Sequence, residues 1–453
     1  MSIRAAFRSL KNPDYKRYFT GQAISQTGSW MHSVALSWLV YRITGSPTIL
    51  ALVGFVELLP GFFLGPWIGV FCDRVSIKRL LINTQMGLAL HALLFAALAY
   101  SGMFSLSIIF SLAAIAGLIH AFDTPARSAF VGALVANHDI ANAIALNSST
   151  YNTARVLGPA MAGVIIATFG EELCFALNFL SFLPMVYALI RIKNNAVTTE
   201  PHSSYMGEIK EALDFIKGNS RIKSSLFLVF VSCFFGYSHM VLMPVFAKEV
   251  FGGDATQLGM LMTSIGLGAV LGALVLASRE STQNLYQVAL WSTLGFAATA
   301  FAFANTISLP MAYGLLALSG FFMVNQMGAA TAVIQCQVNP RLRGRVMTIY
   351  TMGHTGIAPL GAVLAGQMAE LKGAPFAVSG ASLAYFSTVV LVYGLFKQDL
   401  RRIKNRGITK DELAHIEDQI PPVTAQAQTT GQTVAPTAVD SRLDSIHPIP
   451  KAS

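Results

Sequence analysis

The sequence predicts an all-α membrane protein of twelve transmembrane helices in two six-helix, pseudo-symmetric halves, and three observations lead there. The first is composition: of 453 residues, 54% are hydrophobic and only 12% charged. A soluble domain carries about 25% charged residues, because its whole surface must meet water, so this chain has too little polar surface to dissolve a globule of its size. The second is a succession of apolar runs, each matching the roughly 20 helical residues that cross the hydrocarbon layer. The third is a polar stretch, residues 193–220, that falls after the sixth run and before the seventh.

Taken in order, the first six spans read as residues 17–42, 47–72, 78–101, 104–125, 141–169 and 173–191. The second six read as 222–246, 256–278, 285–304, 308–330, 346–370 and 376–396. This divides the chain into a first half (1–192), a cytoplasmic linker (193–220), a second half (221–398) and a cytoplasmic tail (399–453). In the tail, Thr409 and Glu412 have capping-box spacing and predict one short helix. Beyond Pro421 the residues are Pro-, Thr-, Gln- and Ala-rich with nothing to bury, which predicts disorder. The 37 glycines suit helices that approach closely inside a membrane.

Charge sets the orientation. With both termini cytoplasmic, the inside segments collect Arg4, Arg8, Lys11, Lys16, Arg17, Arg74, Lys78, Arg79, Arg127, Arg191 and Lys193, with more in the linker, the later loops and the tail. The outside segments hold only Arg42, Lys248 and Lys372, and such a bias places the basic side in the cytoplasm. The net charge of +9 is therefore spent on topology, in short clusters between apolar runs, and does not indicate a nucleic-acid partner. The basic, mixed opening lacks a signal-peptide pattern. Cys72, Cys174, Cys233 and Cys336 stand singly, without metal or redox spacing, and read as small apolar residues at helix contacts.

The halves echo each other. Gly158-Pro159-Ala160-Met161-Ala162-Gly163 in the fifth span is matched 200 residues later by Ala358-Pro359-Leu360-Gly361-Ala362-Val363 in the eleventh. More loosely, the run from Gly117 in the fourth span matches the run from Gly320 in the tenth. Parallel six-helix repeats place a binding site at their interface, near the bilayer midplane.

These residues resemble the major facilitator superfamily, and within it the branch of the enterobactin exporter and the transmembrane secretion effector proteins. The likeness covers roughly residues 5–400. It is carried by Asn12-Pro13-Asp14-Tyr15, by Gln22, Ser25, Gly28, Ser29 and Trp30, by Trp38-Leu39-Val40-Tyr41, and by Thr44-Gly45-Ser46-Pro47. Phe122-Asp123-Thr124-Pro125-Ala126-Arg127, Ala141-Asn142-Ala143, Leu146-Asn147 and Ala154-Arg155-Val156-Leu157-Gly158-Pro159 continue it. Gly69 through Asp73 and Arg74, with Lys78 and Arg79, match the superfamily's loop signature, except that Ser76 stands where glycine is usual. The resemblance implies that Asp73, Arg74 and their basic neighbours latch the cytoplasmic ends of the halves in one state and release them in the other. The corresponding loop of the second half, Ser278-Arg279-Glu280-Ser281, has no such aspartate, so the latch is expected to be one-sided. Gly158, Pro159 and Gly163 resemble the fifth-helix signature of exporters that exchange a solute for protons, where proline removes a hydrogen bond and glycine permits a bend or close packing.

An ionisable side chain at the bilayer centre costs roughly 2.5–3.5 kcal/mol on insertion scales, and this chain has few of them. Glu57 lies mid-way along the second span, Arg155 mid-way along the fifth, and Asp123 about a turn from the cytoplasmic end of the fourth. The deep spans of the second half hold no acid, so the carboxylates available for proton coupling reduce to Glu57 and Asp123. The competing readings are a permanent ion pair for Glu57 and a gate cluster with Asp73, Arg74 and Arg127 for Asp123. Arg155 is placed to pair with Glu57 or to hold an anionic substrate group bidentately. His32, His239 and His354 sit near the middles of the first, seventh and eleventh spans, where imidazole can bind substrate or titrate, or simply be hydrogen-bonded in place. Gln26, Trp30, Tyr237, Asn325 and Gln326, with Gln22 and Tyr151, supply aromatic faces and hydrogen-bonding groups that suit an amphiphilic solute.

An enzyme is not expected. No His-Glu-x-x-His, paired-aspartate or Gly-x-Ser-x-Gly pattern occurs, and no phosphate-cradling glycine loop precedes a Lys-Ser or Lys-Thr pair. A channel filter is also missing from the sequence. The expectation is a secondary transporter in the bacterial inner membrane, needing no cofactor, that exports a siderophore, drug or similar amphiphile in exchange for protons. A lysophospholipid transporter is the alternative, and a non-transporting sensor or scaffold on the same fold is the alternative from another class. The bilayer and a small-molecule substrate are its expected partners, with a monomer as the working unit and an outer-membrane efflux protein as a candidate associate.

Overall fold

The computed structural model describes residues 7–193, 205–279, 284–338 and 340–405. After a 3-10 turn at Arg8–Lys11, the first six long helices are α1 (Pro13–Thr44), α2 (Pro47–Arg74), α3 (Ile77–Ser101), α4 (Leu106–Leu134), α5 (Ile140–Phe169) and α6 (Glu171–Arg191). Helix α7 (Tyr205–Gly218) lies within the stretch expected as a polar linker. Segment α8 is broken: an α-helical run Ser220–Val231, a π-helical turn Ser232–Gly236, short runs Ser238–Val241 and Met243–Val245, and a second π turn Phe246–Val250. Helices α9 (Ala255–Ala277), α10 (Leu285–Ala304), α11 (Leu309–Gln337), α12 (Pro340–Lys372) and α13 (Ala374–Asn405) complete the described chain. The expected capping-box helix at Thr409 and the Pro-rich run beyond Pro421 lie outside the described residues.

Local chemistry fixes the helix ends. Asn12 accepts hydrogen bonds from the Asp14 and Tyr15 N–H groups ahead of Pro13 at the first position of α1, and Gly45 closes that helix at φ 62°. Ser46 then caps α2, accepting from the Ile49 N–H ahead of Pro47. Several spans run further than expected, among them α13, which continues past Phe396 to Asn405. Helix α4 continues past Pro125 to Leu134, and α11 continues past Ala330 to Gln337. An internal proline removes one hydrogen bond and tends to kink a helix, but packed neighbours can hold the helix on both sides of it inside a membrane.

Packing repeats between the halves. In the first half α1 meets α5 and α6, α2 meets α4, and α3 meets α4 and α6. In the second, α8 meets α12 and α13, α9 meets α11, and α10 meets α11 and α13. The same six-helix pattern therefore occurs twice, as the internal echo predicts. At one pair of equivalent contacts, Gly117 of α4 sits on the Glu57 carbonyl of α2, and Gly320 of α11 sits on the Ile265 carbonyl of α9, with no room for a side chain at either glycine. The halves meet each other chiefly through α5 with α9 and α2 with α12.

By length and composition nine helices qualify as candidate membrane spans among the described residues. The long helices that miss are α1, α5 and α12, and each of these packs across the boundary between halves. A helix facing a polar space inside the bundle can carry fewer apolar residues than one surrounded by lipid.

Candidate functional site between the halves

For description, the base of the bundle is the end holding Pro13, Leu134, Arg191 and Gln337, and the crown is the opposite end, holding the turns at Gly45, Gly102 and Gly170. At the crown the halves are tied together. The Tyr41 hydroxyl of α1 donates to the Glu249 carboxylate of α8, and Lys248 lies 5.6 Å from the centre of the Tyr41 ring. Ser46 Oγ and the Thr48 N–H of α2 both donate to Glu370 of α12, at 2.7 and 3.2 Å. Glycines seal the same seam. A Cβ on Gly259 of α9 would lie 2.7 Å from both Gly163 Cα and the Pro159 carbonyl of α5. On the opposite seam, a Cβ on Gly366 of α12 would lie 2.7 Å from the Pro47 carbonyl of α2.

One apolar cluster joins Met31, Leu39 and Phe175 of the first half to Phe246, Leu258 and Ala377 of the second. The clusters at the base stay within one half: Tyr15, Phe130 and Leu189 belong to one, Ile216, Ile334 and Val346 to another. Among the described residues the buried apolar contacts that cross between the halves thus lie toward the crown. Sequence reading missed these crown ties. Glu249 and Glu370 are acids at helix ends, where carboxylates are commonplace, and nothing local marks them as partners of Tyr41 and Ser46.

Near the helix midpoints, Arg155 meets one side chain from each half. Its guanidinium lies 5.8 Å from the centre of the Trp30 ring of α1 and 3.7 Å from Met323 Sδ of α11. Tyr151, one turn away on α5, packs edge-on against Trp30 with ring centres 5.7 Å apart. From the second half, the Tyr237 hydroxyl donates to Met327 Sδ at 3.5 Å. Gly158 makes this arrangement possible, since a Cβ there would come within 2.5 Å of Trp30 Cβ. Tyr237 follows the π turn of α8, a local unwinding that often accompanies a functional position. Among the described residues Arg155 has no carboxylate partner, and the Trp30 indole N–H is buried without an acceptor. Among the described residues this cation is held by one ring and one thioether, and a guanidinium so placed has the chemistry to pair with an anionic group or stack on an aromatic one.

Of the two readings of Arg155, the pairing with Glu57 is not formed among the described residues. Helix α2 packs on α4 and α12, whereas α5 lies across the half on α1 and α9. Glu57 is half-buried with no hydrogen bond or ion pair among the described residues, and its titratable neighbour is His120 of α4. Asp123 is 3% exposed and fully engaged. Thr84 Oγ1 and Gln85 Nε2 of α3 donate to one oxygen at 2.7 Å each, and Arg127 Nε donates to the other at 2.6 Å. Asp123 and Arg127 are therefore bound within the first half in this conformation and do not bridge to the second. Removing one member of a buried pair typically costs about 3–5 kcal/mol. Asp123→Asn is expected to lower the thermal unfolding midpoint of the detergent-solubilised protein, and an unchanged midpoint would contradict the structural role.

Two histidines depart from the cavity positions expected of them. His32 turns into its own half, its ring 4.8 Å from Phe175 and 5.1 Å from Phe95 by centres, with His91 at 5.6 Å. His239 does the same in the second half, against Phe296 of α10 at 5.5 Å and Ser319 of α11 at 3.4 Å. Asn325 and Gln326 are buried in α11. Asn325 donates to the Phe321 carbonyl and faces Gly272 of α9, so it packs within its half. Gln26 is half-buried on α1, one turn before Trp30. The side chains of Gly69, Asp73, Arg74 and His354 lie outside the described residues. Met323 and Met327 were not foreseen, because methionines in apolar runs carry no sequence signal of their role.

Comparison with known proteins now adds to this geometry. A family model described as transmembrane secretion effector matches residues 4–419. The chain is 26% identical over 369 residues to a staphyloferrin A transporter of Staphylococcus aureus, covering 79% of this chain and 90% of that one. It is 23% identical over 406 residues to macrolide efflux protein A of Streptococcus pyogenes, covering 84% and 96%. Among solved structures, a bacterial homolog of the human lysosomal transporter Spinster, inward-facing and unoccupied, superposes with TM-score 0.66 at 14% identity. That match covers 84% of this chain and 97% of the other, and it bears on the fold.

Proposed function

The chain belongs to the transmembrane secretion effector family of membrane transporters, and from that premise we propose that it exports an anionic or zwitterionic amphiphile, of siderophore or drug type, by alternating access. The observation that carries this reading is Arg155, a cation without a carboxylate partner among the described residues, set beside Trp30 and Met323 where the halves meet, with Tyr151 against Trp30. The relatives' names point to the same substrate range, one a siderophore transporter and one a macrolide efflux protein. Residues 1–192 and 221–398 act as the two rocking halves, joined by 193–220. The base faces the cytoplasm of a bacterial inner membrane, since Lys16, Arg17, Lys78, Arg127, Arg191 and Arg345 gather there. Closed at the crown, the present conformation then receives substrate from the cytoplasmic side. The chain works as a monomer on this reading. In an organism with a second membrane, an outer-membrane protein would extend the route.

Protons drive export through Glu57, the acid near mid-membrane that no other residue satisfies among those described. Asp123, held by Arg127, Thr84 and Gln85, serves structure instead. In inverted membrane vesicles, a cationic dye, a citrate- or catecholate-type siderophore and a lysophospholipid are to be compared with and without a proton gradient. Gradient-driven accumulation of the siderophore, lost in Glu57→Gln, is the expected result. Wild-type transport by Glu57→Gln against a gradient would remove the proton role of that residue. Accumulation of the lysophospholipid alone would favour the second reading, which the same cation, ring and thioether contacts also suit. If no compound moves under any gradient, a sensor on this fold becomes the better description.

A further inference from the structure

A groove of about 620 Å³ opens between α1 and α6 at the base, and its rim carries Lys16, Arg17 and Arg191. Arg17, Thr20 and Ile24 lie roughly a third of a turn around α1 from Trp30 at 100° per residue, so the groove faces away from the site between the halves. Its floor is made of small and apolar groups. Gly21 allows α1 to approach α6 so closely that a Cβ would lie 2.9 Å from Met185 Cα, and Ala188 lies beside it. Beyond the floor the surface stays apolar toward the bundle centre, with Ile24, Leu180 and Leu183 between 43% and 51% exposed.

The rim has a net positive charge. Lys16, Arg17 and Arg191 are exposed, and Asp14, which accepts from Arg17 Nη1 at 2.7 Å, is the acid bonded there. That bond uses one guanidinium nitrogen. Arg191 is poised over the exposed Tyr187 ring, 5.4 Å from its centre, which holds the guanidinium at the rim. The arrangement is a cluster of cations directly above an apolar channel on the outer surface of the bundle, flanked by an aromatic residue of the kind that sits at headgroup depth.

We propose that this groove binds one acidic phospholipid, with its phosphate at Lys16, Arg17 and Arg191 and an acyl chain along Gly21, Ala188 and the apolar strip beyond. A soluble anion would use the rim alone and gain nothing from the floor, whereas a zwitterionic lipid would bring a second cation into a rim that is already positive. Only an anionic amphiphile satisfies both parts. Basic residues at a membrane surface each strengthen binding of anionic lipid by about fivefold.

The test is native mass spectrometry of the delipidated, detergent-solubilised full chain titrated with phosphatidylglycerol, phosphatidylethanolamine, phosphatidylcholine or inorganic phosphate. Wild type is expected to retain one phosphatidylglycerol in preference to the other lipids, without competition from phosphate. The triple variant K16Q/R17Q/R191Q should weaken that adduct on the order of a hundredfold, while Lys372→Gln at the crown leaves it unchanged. Lipid-free thermal midpoints check folding, and if the triple variant is misfolded, the single substitutions are read one at a time, each for about a fivefold loss. Equal retention of phosphatidylcholine, displacement by inorganic phosphate, or undiminished phosphatidylglycerol in the folded variants would overturn the proposal.

Discussion

Arg155→Ala is expected to raise the half-saturating concentration of an anionic substrate on the order of 30- to 100-fold, the equivalent of losing one charged, bidentate hydrogen-bonded contact. Arg155 touches a ring and a thioether in this conformation and has no carboxylate partner among the described residues. Its substitution therefore strands no buried counter-ion, and the fold should survive. Arg155→Lys keeps the charge but replaces a planar fork with a single ammonium, and a loss of about tenfold is expected from the missing second hydrogen bond. A neutral or cationic test compound should be moved as well by both variants as by wild type, or better. The measurement is concentration-dependent uptake into inverted vesicles for each compound. Full activity of Arg155→Lys toward every anionic compound would end the bidentate assignment.

The second large effect is expected at the crown seam. Gly259→Val should leave the protein folded but unable to close its crown, with transport falling to less than about a tenth of wild type. The atoms a new Cβ would meet, Gly163 Cα and the Pro159 carbonyl, belong to the α5 backbone. They cannot rotate aside as a side chain can, so α5 and α9 must separate. The state in which the halves part at the crown has no such contact and is favoured by default. Distances between spin labels on the crown ends of α5 and α9 should shift to the longer population, and labels across the base to the shorter one. Gly163→Val should behave in the same way, since its Cβ would meet Gly259 Cα at 3.0 Å and the Ala255 carbonyl at 3.1 Å. An unchanged distance distribution in a transport-dead variant would mean that the seam does not govern the exchange between states.

Much of the fold was legible from residues alone because lipid imposes a coarse rule: about 20 apolar residues make a crossing. The third, ninth and twelfth spans begin or end within a few residues of their helices for that reason. The rule fails where a helix continues beyond the hydrocarbon. Helix α4 carries on from Pro125 to Leu134, an extension held by tertiary contacts, among them Phe130 against Tyr18. The site was legible in part. A lone arginine mid-way along an apolar run and a tryptophan in the first span are unusual enough to be noticed, and Arg155 and Trp30 do come together. Depth along a helix could be counted, but rotation about its axis could not. His32 and His239 sit at the anticipated depth yet point into their own halves. Glu57 and Arg155 share a depth, but their helices pack chiefly on other neighbours, α2 on α4 and α12 and α5 on α1 and α9.

The convergent site is built unevenly: its cation and indole come from the first half, while the second contributes thioethers and a phenol through Met323, Met327 and Tyr237. Soft, flexible groups of this kind reshape around many outlines, whereas a guanidinium fixes a charge requirement. Modularity follows. A chimera that keeps residues 1–192 and takes its second half from a relative should retain the demand for a negative group while accepting a different molecular outline. The reverse graft should alter which charge is tolerated. New cargo could thus be acquired by exchanging one gene segment, without rebuilding the part that recognises ions.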